Sequence, residues 1–105
     1  MHVDARCFPR YLFFASVQIT DSDSDSLMNA RTSDISLGGC YLDTMNPFHE
    51  GTPLRVRITH HGQSIDANAR VVHSRPNVGM GLRFEQVDSR QVPILDRWIE
   101  DLQTA

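Results

Sequence analysis

The chain has 105 residues and a formal charge of −3, a size that predicts one domain with one core. Hydrophobic residues make up 40% and charged residues 22% of it, which excludes extensive disorder. The acidic balance argues against binding to nucleic-acid polymers or anionic membranes, since such proteins usually carry a basic excess. A few local arginines could still hold a small anionic ligand.

Cysteine and histidine usage points to a protein without a metal centre. The sequence shows no run long enough to span a membrane and no signal-peptide pattern, so we expect a cytoplasmic protein that does not insert into membranes. Cys7 and Cys40 are then expected to be free thiols. The histidines lack the spacing of a zinc site, and no cofactor is expected.

The first predicted element is a β-strand over residues 11–20, where polarity alternates with a period of two. The second face also carries apolar residues, Leu12 and Phe14, so we expect both faces of this strand to be partly covered by other parts of the protein. The first face carries Tyr11, Phe13, Ala15, Val17 and Ile19.

An acidic loop and five shorter alternating runs follow. The loop, residues 21–26, imitates the opening of a calcium site, but Ser26 and Thr32 occupy the places of the required Gly and Glu. We therefore interpret it as a solvated loop. Turn-forming Gly, Pro, Asn and Ser residues separate the runs. Strands are predicted over residues 29–35, 40–45, 54–59, 65–72 and 80–84.

The last element is an amphipathic helix over residues 89–102, with Ser89 as its N-cap and Pro93 in the first turn. Its apolar stripe consists of Val92, Leu95, Trp98, Ile99 and Leu102. Six short antiparallel strands and one closing helix predict a barrel or a sandwich.

Nothing in the sequence indicates an enzyme. A nucleophile elbow is absent, and so is the Gly-rich loop with Lys-Ser/Thr that binds nucleotide phosphates. Cys7 or Cys40 could in principle pair with a histidine as a catalytic nucleophile and base, but with five histidines such a combination occurs readily by chance.

Two polar clusters are more informative. Arg6 and Arg10 stand four residues apart before the first strand, and guanidinium groups pair with phosphates or with the O6/N7 edge of guanine. The second cluster is Asp34, Ser36 and Gly39, at the end of the second predicted strand. Alternation places Asp34 and Ser36 on one face, as an acceptor for base N–H groups and a donor to phosphate. By itself, this cluster favours the interpretation as an ordinary turn.

In this order, Arg-x-x-x-Arg, a strand and Asp-x-Ser-x-x-Gly resemble the motifs of the PilZ family, bacterial receptors for cyclic di-GMP. The segment Gly-Met-Gly-Leu-Arg-Phe, residues 79–84, resembles the last strand of that family, and the closing helix fits as well. The resemblance extends from Arg6 to about Leu102.

The resemblance implies a mainly β, single PilZ domain over residues 1–105. Its parts are a flexible ligand-clamping segment (residues 1–10), a six-stranded antiparallel barrel (residues 11–87) and a C-terminal amphipathic helix (residues 89–103). It implies no catalysis. The ligand-binding residues carried over from the family are Arg6, Arg10, Asp34, Ser36 and Gly39.

The resemblance also suggests a mechanism. The N-terminal segment is expected to become ordered on cyclic di-GMP and to signal through a protein partner, for example in motility or biofilm control. Many relatives have an arginine where this chain has Ala5, which favours one ligand per chain. His73 replaces a basic residue, and we interpret it as a half-buried structural histidine.

Two alternatives remain at this point. Some PilZ-like proteins bind no nucleotide and act through protein contacts alone, for example in pilus assembly, but they typically lack both motifs. A small barrel that binds single-stranded nucleic acid through aromatic side chains is disfavoured, because the aromatic residues fall at core positions and the charge is negative.

Overall fold

The structure, a computed structural model, describes residues 8–104. This part of the chain forms seven β-strands followed by one α-helix. Their bounds are β1 Tyr11–Leu12, β2 Ser16–Asp21, β3 Leu27–Ile35, β4 Gly39–Asp43, β5 Pro53–His60, β6 Gln63–Arg75, β7 Gly79–Val87 and α1 Val92–Gln103.

Six of the strands close into an antiparallel barrel. The order around it is β2, β5, β6, β7, β4 and β3, and β3 closes the ring by pairing with both β4 and β2. The short strand β1 is an addition that pairs with the end of β3. The predicted six-stranded antiparallel barrel with a C-terminal helix is therefore confirmed.

The first predicted strand is broken in two, because a buried threonine interrupts its backbone pairing. Thr32 is fully buried, and its hydroxyl donates to the carbonyl of Phe13 at 2.5 Å. The same oxygen accepts the N–H of Ala15 at 2.9 Å. One side chain thus satisfies two backbone groups between β1 and β2, where the strand leaves its regular register.

The barrel interior contains the predicted alternating face of the first run. Phe13, Val17 and Ile19 are at most 4% exposed. The expectation of cover on the other face is wrong, since Leu12 is 75% and Phe14 56% exposed. A closed barrel has one interior, and among residues 8–104 no second layer of strands or helices packs on the outer side of these two residues. The Arg31 guanidinium lies over the Phe14 ring at 5.1 Å.

Helix α1 packs against the barrel through Leu95, Trp98 and Ile99, and the Trp98 ring lies 5.3 Å from the ring of Phe13. Pro93 stands in the first turn as predicted. Val92, which we placed in the buried stripe, is 38% exposed.

The helix begins later than predicted, with Gln91 rather than Ser89 as its N-cap. The Gln91 side chain accepts the N–H of Asp66 at 2.6 Å and donates to the Asp66 carboxylate at 3.0 Å. This attachment to β6, rather than a hydroxyl cap, fixes where the helix starts. Within residues 8–104, no helix is both long and apolar enough to cross a membrane.

Candidate functional site

The register of the barrel aligns four residues in one row across its outer surface. Asp34 on β3 is opposite Tyr41 on β4, Tyr41 is opposite Gly81 on β7, and Gly81 is opposite His73 on β6. Directly opposed residues share a face, and neighbouring strands lie about 4.8 Å apart. Residues that are far apart in sequence therefore form one continuous surface.

The two sequence clusters meet at the end of this row. Arg10 Nη2 lies 3.4 Å from Asp34 Oδ1, and the two side chains are 42% and 28% exposed. The same carboxylate oxygen accepts the N–H of Tyr41 at 3.1 Å. The pairing of β3 with β4 shifts between Thr32 and Asp34, so this N–H bonds to a side chain. Asp34 is thereby held beside a guanidinium at a partly open position.

Ser36 and Gly39 form the turn next to Asp34. The Ser36 hydroxyl accepts the N–H groups of Gly38 and Gly39, each at 3.1 Å, and the side chain is buried. A Cβ atom at Gly39 would collide with the carbonyl oxygen of Leu82 on β7. Both residues have a structural task here, which is to bring this turn close against β7.

Four of the five site residues predicted from the sequence, Arg10, Asp34, Ser36 and Gly39, thus lie in one region. The fifth, Arg6, lies outside the described residues. The alternation argument for Ser36 is wrong in its detail, because the turn begins at this residue and directs its hydroxyl back to the chain rather than along the outer face of Asp34.

His73 is exposed and does not fill a half-buried position as we expected. The inward positions of β6 run with a period of two through Ala69 and Val71. An irregularity between Val71 and His73 then changes the parity of the strand. This change turns His73 outward, beside Gly81.

Several residues of this surface were missed by sequence reasoning. Tyr41 belongs to the row just described, and Arg83 and Arg70 form the neighbouring row with Gly39. Cross-strand register is the signal that connects them, and no local motif contains it. Among the residues that the structure describes, arginines outnumber carboxylates on this face of an acidic chain. They are Arg10, Arg31, Arg70, Arg75 and Arg83, against Asp34, Asp43 and Glu85.

Cys40 lies beneath the site and is fully buried. Burial, with a further contribution from the charge of Asp34, raises the pKa of its thiol to about 12, and Arg10 partly opposes the rise. Such a thiol is not a nucleophile at neutral pH. In residues 8–104, no three His, Cys, Asp or Glu side chains are grouped closely enough to hold a metal ion.

A concavity of about 640 Å³ lies on another part of the barrel, over β2, β5 and the opposite ends of β6 and β7. Its lining includes Arg57 and Asp66, which form an ion pair at 2.8 Å. This region contains none of the motif residues, and we do not assign it as the site.

Comparison with known proteins places the motif residues in a family context. A protein-family model described as "PilZ domain" matches residues 4–101. A search of curated proteins found no match.

Solved structures share the fold. The PilZ domain of YcgR from Escherichia coli, solved with c-di-GMP, is 20% identical with a TM-score of 0.72, and the match covers 96% of this chain and 93% of that one. The PilZ domain of CeSA from a cellulose-synthesizing bacterium is 20% identical with a TM-score of 0.70, covering 90% and 98%.

A third solved structure is longer. MotI/DgrA, an inhibitor of motility from Bacillus subtilis, is 20% identical with a TM-score of 0.76. The match covers 99% of this chain but 54% of that one, so the chain spans about half of that protein.

Proposed function

Because this chain belongs to the PilZ domain family, we propose that it is a non-enzymatic receptor for cyclic di-GMP that signals through a protein partner. The observation that carries the proposal is the ion pair between Arg10 and Asp34, which joins the two motifs at one place on the barrel. The PilZ domain of YcgR, which has the same fold, was solved with this ligand.

The chemistry of the site suits a cyclic dinucleotide. The ligand has two phosphate charges and two guanines. A guanidinium such as that of Arg10 can bond in a bidentate manner to a phosphate or to the O6/N7 edge of guanine. The carboxylate of Asp34 can accept N–H groups from the opposite edge of the base. The excess of arginines on the surrounding surface supports the binding of an anion.

The remaining motif residues complete the proposed site. Ser36 and Gly39 hold the turn beside Asp34. We propose that this turn and Asp34 together make the ligand contacts of the second motif. Arg6 would supply the second cation of the first motif. With Ala5 in place of a further arginine, we propose one ligand per chain.

The signalling step follows from where Arg10 is attached. It lies just before β1, so a ligand bound between Arg10 and Asp34 would order the segment through residue 10 and change the surface that a protein partner meets. We propose that this occurs in the cytoplasm, without insertion into a membrane and without a nucleic-acid polymer.

Calorimetric titration with cyclic di-GMP tests the proposal. Arg10→Ala should weaken binding about tenfold or more, because a charge-assisted contact contributes roughly 1.5–3 kcal/mol. Arg55→Ala is a matched control, since Arg55 is 54% exposed and pairs with Asp25 at 3.3 Å away from the site. It should bind as tightly as the unmodified chain.

Two results would contradict the proposal. Equal affinity of the Arg10→Ala and Arg55→Ala variants would show that the ligand does not use the motif. The absence of heat with a folded protein would favour the alternative, a protein-interaction module without a nucleotide. Leu12, which is opposite Asp34 in the register, and Phe14 are both exposed and would then be the first residues to mutate.

A further inference from the structure

The concavity over β2, β5, β6 and β7, called the polar groove below, has the dimensions of a ligand site. Its volume of about 640 Å³ lies within the range of about 300–1,000 Å³ that is typical of small-molecule sites. Thr20, Arg55, Asn68 and Gln86 form one row across the four strands. This row spans three strand spacings, or about 14 Å. The groove is therefore long enough for an elongated small molecule.

The charges that line the polar groove are balanced. Two arginines and two aspartates contribute to the lining. Each of them is in an ion pair, and the pairs are Arg57–Asp66 at 2.8 Å, Arg55–Asp25 at 3.3 Å and Asp88–Arg90 at 3.0 Å. A charged ligand would gain no net attraction from these groups and would compete with the ion pairs. Charge complementarity therefore favours an uncharged ligand.

Three side-chain amides in the polar groove are open to such a ligand. Gln18, Asn68 and Gln86 line it and are exposed. Within residues 8–104, the hydrogen bonds around the groove join Arg57 to Asp66 and leave these three amides without an intramolecular partner. Each amide has two N–H donors and one acceptor oxygen. A hydroxyl group also donates and accepts, so a molecule with many hydroxyl groups matches this set.

The lining disfavours other classes of ligand. In the part of the chain that the structure describes, no aromatic side chain lines the polar groove. The core of a protein–protein interface is usually apolar and rich in aromatic residues. Bases of single-stranded nucleic acids bind by stacking on aromatic side chains. The groove offers neither surface, and hydrogen bonding is the main interaction that it can make.

We propose that the polar groove is a second binding site, which holds a neutral oligosaccharide through the amides of Gln18, Asn68 and Gln86. The site contains none of the motif residues, and it does not depend on the proposed function. A few hydrogen bonds at an open surface, without an aromatic platform, correspond to a Kd of about 1 mM.

NMR titration of the ¹⁵N-labelled chain tests the proposal. The probes are three neutral trisaccharides, maltotriose, cellotriose and raffinose, each added well beyond the expected Kd. At least one of them should shift the side-chain amide signals of Gln18, Asn68 and Gln86 in a saturable manner. Trigalacturonate, a trisaccharide with three carboxylates, is the charged counterpart and should bind more weakly.

Asn68→Ala and Gln86→Ala test whether the amides make the contacts. Both side chains are exposed, so the melting temperature should not change. Each variant should bind the trisaccharide about fivefold more weakly, as expected for the loss of one hydrogen bond. Gln63→Ala is the matched control, since Gln63 is an exposed amide of the same strand β6 outside the groove, and it should retain the affinity.

The outcomes decide the proposal without cyclic di-GMP, so they are independent of the proposed receptor function. Saturable shifts that weaken in Asn68→Ala and Gln86→Ala, but not in Gln63→Ala, establish the site. Equal affinity of all three variants overturns it, and so does equal or tighter binding of trigalacturonate. If none of the three neutral sugars shifts these signals, the proposal is wrong, and a polar protein segment becomes the next occupant to test.

Discussion

Cys40 shows how the barrel controls the chemistry of a single residue. A thiol with a pKa of about 12 is almost entirely protonated at pH 8, and the thiolate is the species that reacts. We predict that in a Cys7→Ser variant, which leaves Cys40 as the only thiol, a chromogenic disulfide reagent does not label the native protein at pH 8. Labelling should become complete in denaturant.

Rapid labelling of the native Cys7→Ser variant would contradict this prediction, because it would show that β4 opens readily. An unmodified chain measured in parallel reports on Cys7 and Cys40 together. The difference between the two time courses isolates the contribution of Cys7.

At the scale of residues, the sequence predicted which side chains lie together better than what each one contacts. The two motifs predicted that Arg10 and Asp34 act at one place, and the structure pairs these two residues. It did not predict that Ser36 would bond to Gly38 and Gly39, because that depends on where the strand ends and the turn begins. The outward position of His73 depends on an irregularity of β6 that alternation alone does not reveal.

At the scale of elements, the break between β1 and β2 depends on the hydroxyl of Thr32. Thr32→Val preserves the shape of the side chain but leaves the carbonyl of Phe13 and the N–H of Ala15 without their partner. Since each of these two buried groups costs about 1–3 kcal/mol when it is left unsatisfied, we expect a loss of about 2–6 kcal/mol in the free energy of unfolding. Denaturant titration measures this quantity.

Thr32→Ser is the matched control, because it keeps the hydroxyl and removes only a methyl group. It should lose clearly less stability than Thr32→Val. If the two variants unfold at the same denaturant concentration, the hydroxyl is not what holds this break together, and packing of the methyl group decides the stability instead.

The prediction of elements failed where tertiary contacts override a local pattern. Polarity alternates without interruption through residues 11–20, and only the buried Thr32 from another strand shows that the run must bend. The start of α1 was placed at Ser89, a good cap by type. The helix instead begins after Gln91, because Gln91 bonds to Asp66 on β6. A contact with a distant strand cannot be predicted from the local sequence.

At the scale of the whole molecule, periodicity left a barrel and a sandwich open, and the family resemblance chose the barrel. Closure depends on β3 pairing with both β2 and β4. The separate pairing of β4 with β7 places Tyr41 opposite Gly81, and this neighbourhood could not be predicted before the register was known.

We predict that the stability of the packing between helix α1 and the barrel depends on pH, because His60 lies at this contact. Its ring lies 4.4 Å from Phe13, 5.8 Å from Trp98 and 3.9 Å from the stacked ring of His61. Burial lowers the pKa of His60 below its usual value of 6.5, and the charge of His61 lowers it further. A hydrogen bond with the backbone of Phe14 opposes this in part.

The sign of the effect follows from proton binding. A histidine whose pKa is lowered by folding binds more protons in the unfolded chain, so stability rises with pH between the folded and unfolded pKa values. We expect the contribution of His60 to be fully present above about pH 6.5 and to decline as the pH falls below it. The aspartates with lowered pKa values, Asp66 and Asp88 among them, affect stability only at lower pH, since the ordinary pKa of an aspartate is 3.8.

Thermal unfolding followed by the fluorescence of Trp98, the single tryptophan, measures this dependence. His60→Gln should lower the melting temperature at pH 7.5 through lost packing, yet flatten its decline between pH 6.5 and pH 5. His49→Gln, at an exposed histidine away from the helix, should keep the decline of the unmodified chain. An unchanged slope in His60→Gln would show that His60 does not cause the decline.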